Sequence, residues 1–132
     1  MTPNPKTPPV GAECPEGERE IELIARAIQK IPSLGVYGVG NPAGGFGTER
    51  IHDVQFHRQV GLCADWIGRQ EIIKSVTQYH SYGYKHIVER ESGEYIPNGA
   101  FIAAAVGLGL KYRIYGPNAS FNISKRARNR KA

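Results

Sequence analysis

The sequence predicts a mainly α-helical compact domain with a β-hairpin near its C-terminus. Between residues 18 and 108, apolar residues recur in several segments at the three- and four-residue spacing of a helix. Residues 111–115 and 120–124 instead alternate polar and apolar side chains on either side of a Gly-Pro-Asn turn. The chain has 132 residues, of which 40% are hydrophobic, so it is long enough for one domain with a buried core.

Composition divides the chain into three parts. Residues 1–17 contain five prolines and two glycines, and this composition predicts a disordered tail. Residues 18–124 form the predicted helical domain, and residues 125–132 form a basic tail. No apolar run follows the N-terminus, and the longest apolar stretch, residues 99–110, is about half of a bilayer crossing. We therefore expect a cytoplasmic protein with no membrane partner.

The first helix is predicted from about Glu18 to Ile31, and Pro32 ends it. Early acidic residues suit the positive end of the helix dipole, and Lys30 suits the other end. The predicted buried stripe consists of Ile21, Ile24, Ala25, Ile28 and Ile31.

A glycine-rich segment, residues 35–47, follows this helix and contains six glycines. Its Gly38-Val-Gly40 motif is not followed by Gly-Lys-Ser/Thr, and no clear strand precedes it. A loop that binds phosphate needs that strand–loop–helix arrangement. We therefore predict a mobile or tightly turning surface loop here and no nucleotide site.

Residues 51–78 again show helical periodicity, and Gly61 and Gly68 are points at which this segment could divide into two helices. Its predicted apolar face includes Phe56, Val60, Cys63 and Ile67. The next helix is predicted to begin with Ser81 as its N-cap and to end at Gly93.

Pro97 is well suited to the first position of a further helix, predicted to run to about Leu108. This helix is apolar on all sides, which is typical of a buried central helix. The hairpin follows, with a predicted four-residue turn over residues 116–119.

The acidic residues end at Glu94. Residues 1–94 contain ten bases and twelve acids, whereas residues 95–132 contain seven bases and no acid, so −2 and +7 give the net charge of +5. Charge concentrated in one segment produces a local positive potential, which concerns partners and not the fold. Nucleic acid, an acidic protein surface and an anionic membrane surface would all match this charge.

The order helix, turn, helix and hairpin resembles in outline a winged helix-turn-helix. A recognition helix must present Arg, Lys, Asn or Gln to base edges, yet residues 99–110 contain none of these. Only Asn98, at the start of the helix, could reach a base. The basic hairpin and tail are the better candidates, and they would contact phosphates.

The residues predict no catalytic site, no metal site and no cofactor. His52 and His57 are five residues apart, about 140° around a helix, and therefore do not share a face. Cys63 lies on the apolar face, where an unreactive buried thiol is expected, and Cys14 is expected to be free as well. His86 and Glu89 have the spacing of a hydrogen-bonded pair on one helix.

One longer pattern runs through the C-terminal half of the chain. It consists of Ser81-Tyr-Gly-Tyr-Lys-His86, Glu89, the run from Tyr95 to Ala105 (Tyr-Ile-Pro-Asn-Gly-Ala-Phe-Ile-Ala-Ala-Ala) and Pro117-Asn118-Ala119. This pattern resembles small uncharacterised proteins of phages and integrative elements. The resemblance covers about 45 residues and transfers no functional residue. It implies a context in which accessory proteins include regulators and inhibitors of host defence such as anti-CRISPR proteins.

Tyrosines occur among the bases of the C-terminal half. Tyr84 and Tyr95 are predicted to line the core, whereas Tyr82, Tyr112 and Tyr115 are predicted to be partly exposed. Aromatic residues next to bases can stack on unpaired nucleobases or anchor a protein interface. The predicted partner-binding residues are Asn98, Lys111, Tyr112, Arg113, Tyr115, Lys125, Arg126, Arg128 and Arg130.

Two classes of function fit these observations. The first is a small non-enzymatic protein that docks on nucleic acid or on a nucleoprotein complex, as a mobile-element accessory protein or an inhibitor of host defence would. The second is a DNA-binding transcriptional regulator of winged-helix type. The sequence leaves the oligomeric state open.

Overall fold

A computed structural model describes residues 17–40 and 51–129, apart from the side chains of residues 128 and 129. The predictions for the tail over residues 1–16, Cys14, the loop over residues 41–47 and the side chains of Arg128 and Arg130 lie outside this description. The elements in chain order are α1 Glu18–Lys30, β1 Leu34–Gly35, β2 Gly38–Val39, α2 Val54–Gly68, α3 Ser81–Ser92, α4 Asn98–Gly107, β3 Tyr112–Tyr115, β4 Asn118–Phe121 and α5 Arg126–Asn129. The predicted fold class, a mainly α domain with a C-terminal hairpin, is confirmed.

Helix α4 is the centre of the fold. All ten of its residues are buried, as the apolar sequence predicts. Helices α1, α2 and α3 and both hairpins pack against it. Pro97 precedes the helix as its N-cap, and Asn98 is the first helical residue.

Helix α1 has the predicted bounds to within one residue, but the predicted stripe is partly wrong. Ile21 is 53% exposed and Ala25 is also exposed, whereas Leu23 and Ala27 are buried. Two neighbouring rows of apolar residues on this helix have helical spacing, and packing against the rest of the fold determines which row is buried. The backbone of Leu23 lies against Gly107 of α4, where a Cβ would collide with it, so the close approach of the two helices selects the row.

Helix α2 runs through Gly61 without a break and ends at Gly68. Its predicted apolar face is buried. The prediction of helix up to residue 78 is wrong, because residues 69–80 lie alongside β4. Thr77 N–H donates to the Phe121 carbonyl at 2.9 Å, and Ser124 N–H donates to the Glu71 carbonyl at 2.9 Å. This segment is rich in β-branched residues, and its backbone groups form hydrogen bonds with the neighbouring chain segment and not within a helix.

Helix α3 ends as predicted at Gly93, which has a φ of 75° and donates its N–H to the Glu89 carbonyl. Its start differs from the prediction. Ser81 is the first helical residue, and its hydroxyl accepts a hydrogen bond from Ala119 N–H at 3.1 Å. Ser81 therefore joins α3 to the hairpin and does not cap the helix.

The predicted surface loop is wrong for residues 35–40, because these residues form the β1–β2 hairpin and part of it is buried. The carbonyl of Val36 accepts a hydrogen bond from Gly99 N–H at 2.9 Å, and Val39 N–H donates to the Pro117 carbonyl at 3.0 Å. This hairpin therefore joins the start of α4 to the turn of the second hairpin.

The β3–β4 hairpin has a two-residue turn, Gly116-Pro117, and not the predicted four-residue turn. Gly116 has a φ of 58°, a conformation that glycine adopts without strain. Strand β4 is largely buried, whereas β3 is mostly exposed. The second hairpin therefore has one strand in the core and one on the surface.

The basic tail contains the short helix α5 near its start. Ala127 is buried, and its N–H donates to the Ser124 carbonyl at 3.1 Å. The Ser124 hydroxyl accepts a further hydrogen bond from Arg126 N–H. Within residues 17–40 and 51–129, no helix has the length and apolar character needed to cross a membrane.

Candidate functional site

Strand β3 lies on the surface because β4 separates it from the core. Alternate side chains of β3 point to opposite sides of the hairpin. Arg113 and Tyr115 therefore share one side, and Lys111 precedes them with the same two-residue spacing. The structure brings these three predicted site residues together.

Two residues that the sequence reasoning did not select join this surface from the 69–80 segment. The ring of His80 stacks on the ring of Tyr115, with centroids 5.1 Å apart and an angle of 27° between the planes. The backbone carbonyl of Lys74 accepts a hydrogen bond from Lys111 Nζ at 2.8 Å. We call Lys74, His80, Lys111, Arg113 and Tyr115 the basic hairpin surface.

Arg113 is held by a neutral neighbour. Its Nη1 donates to the Tyr115 hydroxyl at 3.2 Å, and this hydrogen bond raises the pKa of Arg113 above its ordinary value. The Arg113 guanidinium therefore lies beside the Tyr115 ring, which also stacks on His80. A cation beside an exposed ring suits contacts with phosphate and with a flat base.

Most bases of the helical part form ion pairs with acids. These pairs are Arg19 with Glu20 and Asp65, Arg26 with Glu22, Arg58 with Glu94, Arg69 with Glu91, and Lys85 with Glu89. Within the described part of the chain, no carboxylate pairs with Lys74, Lys111, Arg113 or Lys125, and Arg126 reaches Glu71 only at 3.7 Å. The charge asymmetry of the sequence is therefore also a local positive charge on the folded surface.

A cleft of about 490 Å³ lies at the turn end of the second hairpin. Its lining residues are Tyr37, Tyr82, Lys85, Tyr95, Asn98, Pro117 and Asn118. We call it the tyrosine cleft, because three tyrosines line it. Tyr37, Tyr82 and Tyr95 are 45%, 55% and 60% exposed. The prediction that Tyr95 lines the core is therefore wrong, whereas that for Tyr84 is confirmed.

Lys85 lies at the base of the tyrosine cleft and is only 5% exposed. Its Nζ is 5.3 Å from the ring centroid of Tyr82 and 5.1 Å from that of Tyr95. Both distances are within the range of a cation–π contact. Its Nζ also donates to Glu89 Oε2 at 2.9 Å, so this buried charge has an acidic partner.

Asn98 is buried and does not lie on the exposed surface of β3, which corrects its predicted place beside Arg113 and Tyr115. Its Nδ2 donates to the Pro117 carbonyl at 3.1 Å and to Asn118 Oδ1 at 2.9 Å. Asn98 therefore fixes the hairpin turn against the start of α4. This position gives Asn98 a structural role.

Cys63 is buried in the core, and His86 lies beside Glu89 on α3. Burial raises the pKa of the Cys63 thiol, and the nearby Glu89 carboxylate raises it further, so this cysteine stays protonated. His86 Nδ1 and Glu89 Oε1 are 2.9 Å apart, which agrees with the predicted pair. Across residues 17–40 and 51–129, no three His, Cys, Asp or Glu residues are grouped to hold a metal ion.

Comparisons with protein-family models, with curated proteins and with solved structures found no match to this chain. The interpretation of the site therefore depends on the geometry and charge described above.

Proposed function

We propose that the protein binds nucleic acid, alone or within a nucleoprotein complex, through the basic hairpin surface and without catalysing a reaction. One observation supports this proposal most directly. The bases of the helical part are largely neutralised by acids, whereas Lys74, Lys111 and Arg113 have no carboxylate partner among the described residues. Cations left unpaired on one surface attract a polyanion and contact its phosphates.

The surface also contains an aromatic component. Tyr115 is 39% exposed and stacks on His80, next to the guanidinium of Arg113. Nucleobases of single strands stack on such side chains, whereas phosphates pair with the cations. Binding of this type gives affinity with little dependence on base sequence.

The alternative, a winged-helix regulator that reads DNA with α4, receives no support from the position of that helix. Every residue of α4 is buried, and its one amide side chain, Asn98, holds the hairpin turn. A helix in this position has no face free to enter a major groove.

The proposal includes a biological role as an accessory protein of a mobile element that docks on a nucleoprotein complex of host defence, such as a CRISPR–Cas complex. The sequence pattern over residues 81–119 suggests this role. The basic hairpin surface is a chemically suitable contact for such a complex, because its partner there would be guide or target nucleic acid.

The proposal can be tested by capture of partners from a host lysate, with and without nuclease, and by gel shifts over a range of salt concentrations. Lys111→Ala should weaken nucleic-acid binding and flatten its dependence on salt. Lys30→Ala is the matched control, because Lys30 is an exposed lysine at the end of α1 with no ion pair among the described residues. Equal behaviour of the two variants would contradict the proposed surface.

A further inference from the structure

The tyrosine cleft combines exposed aromatic rings with a buried ammonium group. Lysine is almost never fully buried unless it is paired, and Lys85 is buried between two tyrosine rings that are each more than half exposed. Glu89 accepts one hydrogen bond from its ammonium, which has three donors. The cleft therefore has aromatic walls and, at its base, an ammonium group with donors beyond the one that Glu89 accepts.

The combination of aromatic rings and the Lys85 ammonium favours one chemical class of ligand over others. A cationic ligand, which three tyrosines alone would suit, would compete with Lys85, whose ammonium already makes the cation–π contacts with Tyr82 and Tyr95. A free phosphate would find few donors, because ring surfaces make up much of the lining. A flat ring with a carbonyl oxygen at its edge matches both parts, since its face stacks on a tyrosine and its oxygen accepts a hydrogen bond from Lys85 Nζ. Nucleobases with a keto group have this chemistry.

The tyrosine cleft is continuous with the basic hairpin surface. Asn118 lines the cleft and is the cross-strand partner of Tyr115. Directly paired residues of two antiparallel strands have their side chains on the same face of the hairpin. A single strand of nucleic acid whose phosphates contact Arg113, and one of whose bases stacks near Tyr115, would therefore continue towards the cleft.

We infer that the tyrosine cleft binds one keto-containing base of a single-stranded nucleic acid, stacked on Tyr82 or Tyr95 with its carbonyl towards Lys85. This inference rests on the proposed function, because the basic hairpin surface supplies the phosphate contacts. It adds that the partner is single-stranded at this point, since a base in a duplex cannot enter the cleft without leaving its stack.

The test compares two fluorescent probes, a short thymidine oligonucleotide and an abasic oligonucleotide with the same number of phosphates. The unmodified protein should bind the thymidine probe on the order of tenfold more tightly, because stacking on an aromatic side chain adds to the phosphate contacts. The double variant Tyr82→Ala, Tyr95→Ala should lose this preference and keep its affinity for the abasic probe. Tyr82→Phe, Tyr95→Phe retains both rings and should keep the preference.

Arg113→Ala separates this inference from the proposed function. It should weaken binding of both probes by the same factor and leave their ratio unchanged. Equal binding of the two probes by the unmodified protein would overturn the cleft inference, whereas the proposed function would stand on phosphate contacts. Loss of the ratio in Arg113→Ala alone would place the base on the hairpin and would also overturn the inference. If neither probe binds, the inference fails, and the capture experiment with nuclease decides the proposed function.

Discussion

Glu89 joins helix α3 to the segment before α4 through a single carboxylate. Its oxygens accept hydrogen bonds from Lys85 Nζ at 2.9 Å and from Ile96 N–H at 3.0 Å, and His86 Nδ1 lies 2.9 Å away. Burial raises the pKa of this carboxyl, but the hydrogen bonds from Ile96, Lys85 and His86 outweigh burial, so the pKa lies below its usual value. The carboxylate therefore stabilises both the start of α4 and the buried cation of the tyrosine cleft.

The first prediction is that acid destabilises the protein partly through Glu89. A carboxyl whose pKa is lower in the folded state contributes stability above its unfolded pKa of about 4.3 and loses it as pH falls through the folded value. The free energy of unfolding, measured with urea, should therefore fall more between about pH 5 and pH 3 in the unmodified protein than in Glu89→Gln.

At neutral pH, Glu89→Gln should be less stable by about 1–3 kcal/mol, because it weakens hydrogen bonds to a buried charged donor. Glu94, whose pKa is lowered by its hydrogen bond with Arg58, is present in both proteins. The difference between the two pH profiles therefore reports Glu89. Parallel profiles would show that the pKa of Glu89 is not lowered by folding.

Close packing between elements depends on glycines whose role is clear only in the folded structure. A Cβ on Gly99 would collide with the backbone carbonyls of Gly35 and Val36, because the β1–β2 hairpin lies directly on the start of α4. The sequence showed a glycine-rich segment and a glycine in a helix. It did not show that the two are in contact, since about 60 residues separate them.

The second prediction uses this contact. Gly99→Ala should destabilise the protein by about 1–3 kcal/mol, because backbone atoms must move to admit the methyl group. Gly68→Ala is the matched control, since a Cβ at this last residue of α2 meets nothing within 4 Å. Thermal unfolding of both variants measures the difference. A loss of stability in the control equal to that in Gly99→Ala would refute the packing argument.

The third prediction concerns the central helix. Ala104→Arg places a long charged side chain at a position that is 0% exposed, and it should cost more than about 4 kcal/mol and abolish cooperative unfolding. Ala25→Arg, on the exposed side of α1, should unfold like the unmodified protein. Circular dichroism during heating distinguishes the two. A folded Ala104→Arg protein with altered binding would instead revive the recognition-helix interpretation.

The whole molecule separates its charges by position. Most bases of helices α1, α2 and α3 are paired with acids, whereas Lys111 and Arg113 have no carboxylate partner within the described ranges. Unpaired cations on the second hairpin attract a negatively charged partner towards this side during association.

The fourth prediction follows from this separation. Arg113→Ala and Tyr115→Ala should each weaken partner binding on the order of tenfold, because a few Tyr and Arg residues usually dominate an interface. Both side chains are exposed on β3, so the melting temperature should change little. Glu22→Ala removes an exposed side chain of α1 and should leave binding unchanged. Critical acids on α1 together with neutral Arg113 and Tyr115 would show that the partner contacts the N-terminal half.

The bounds of α1, the end of α3, the fold class and the charge asymmetry could be predicted from the sequence because each depends on neighbouring residues. Pro32 and Gly93 end helices through their own backbone preferences. Helix α4 is apolar on every side, so its burial could be predicted without knowing which elements pack against it. Lys111, Arg113 and Tyr115 alternate along one strand, so their common side also follows from local geometry.

Long-range contacts decided the rest. Gly107 selected which row of α1 is buried, and the edge of β4 drew residues 69–80 out of a helical pattern by offering backbone partners. The tyrosine cleft combines Tyr37, Tyr82, Tyr95 and Asn118, which are distant in sequence and meet only where two hairpins and two helices pack together. Periodicity shows that a helix or strand has an apolar and a polar face, whereas only the packed chain supplies the partner for each face.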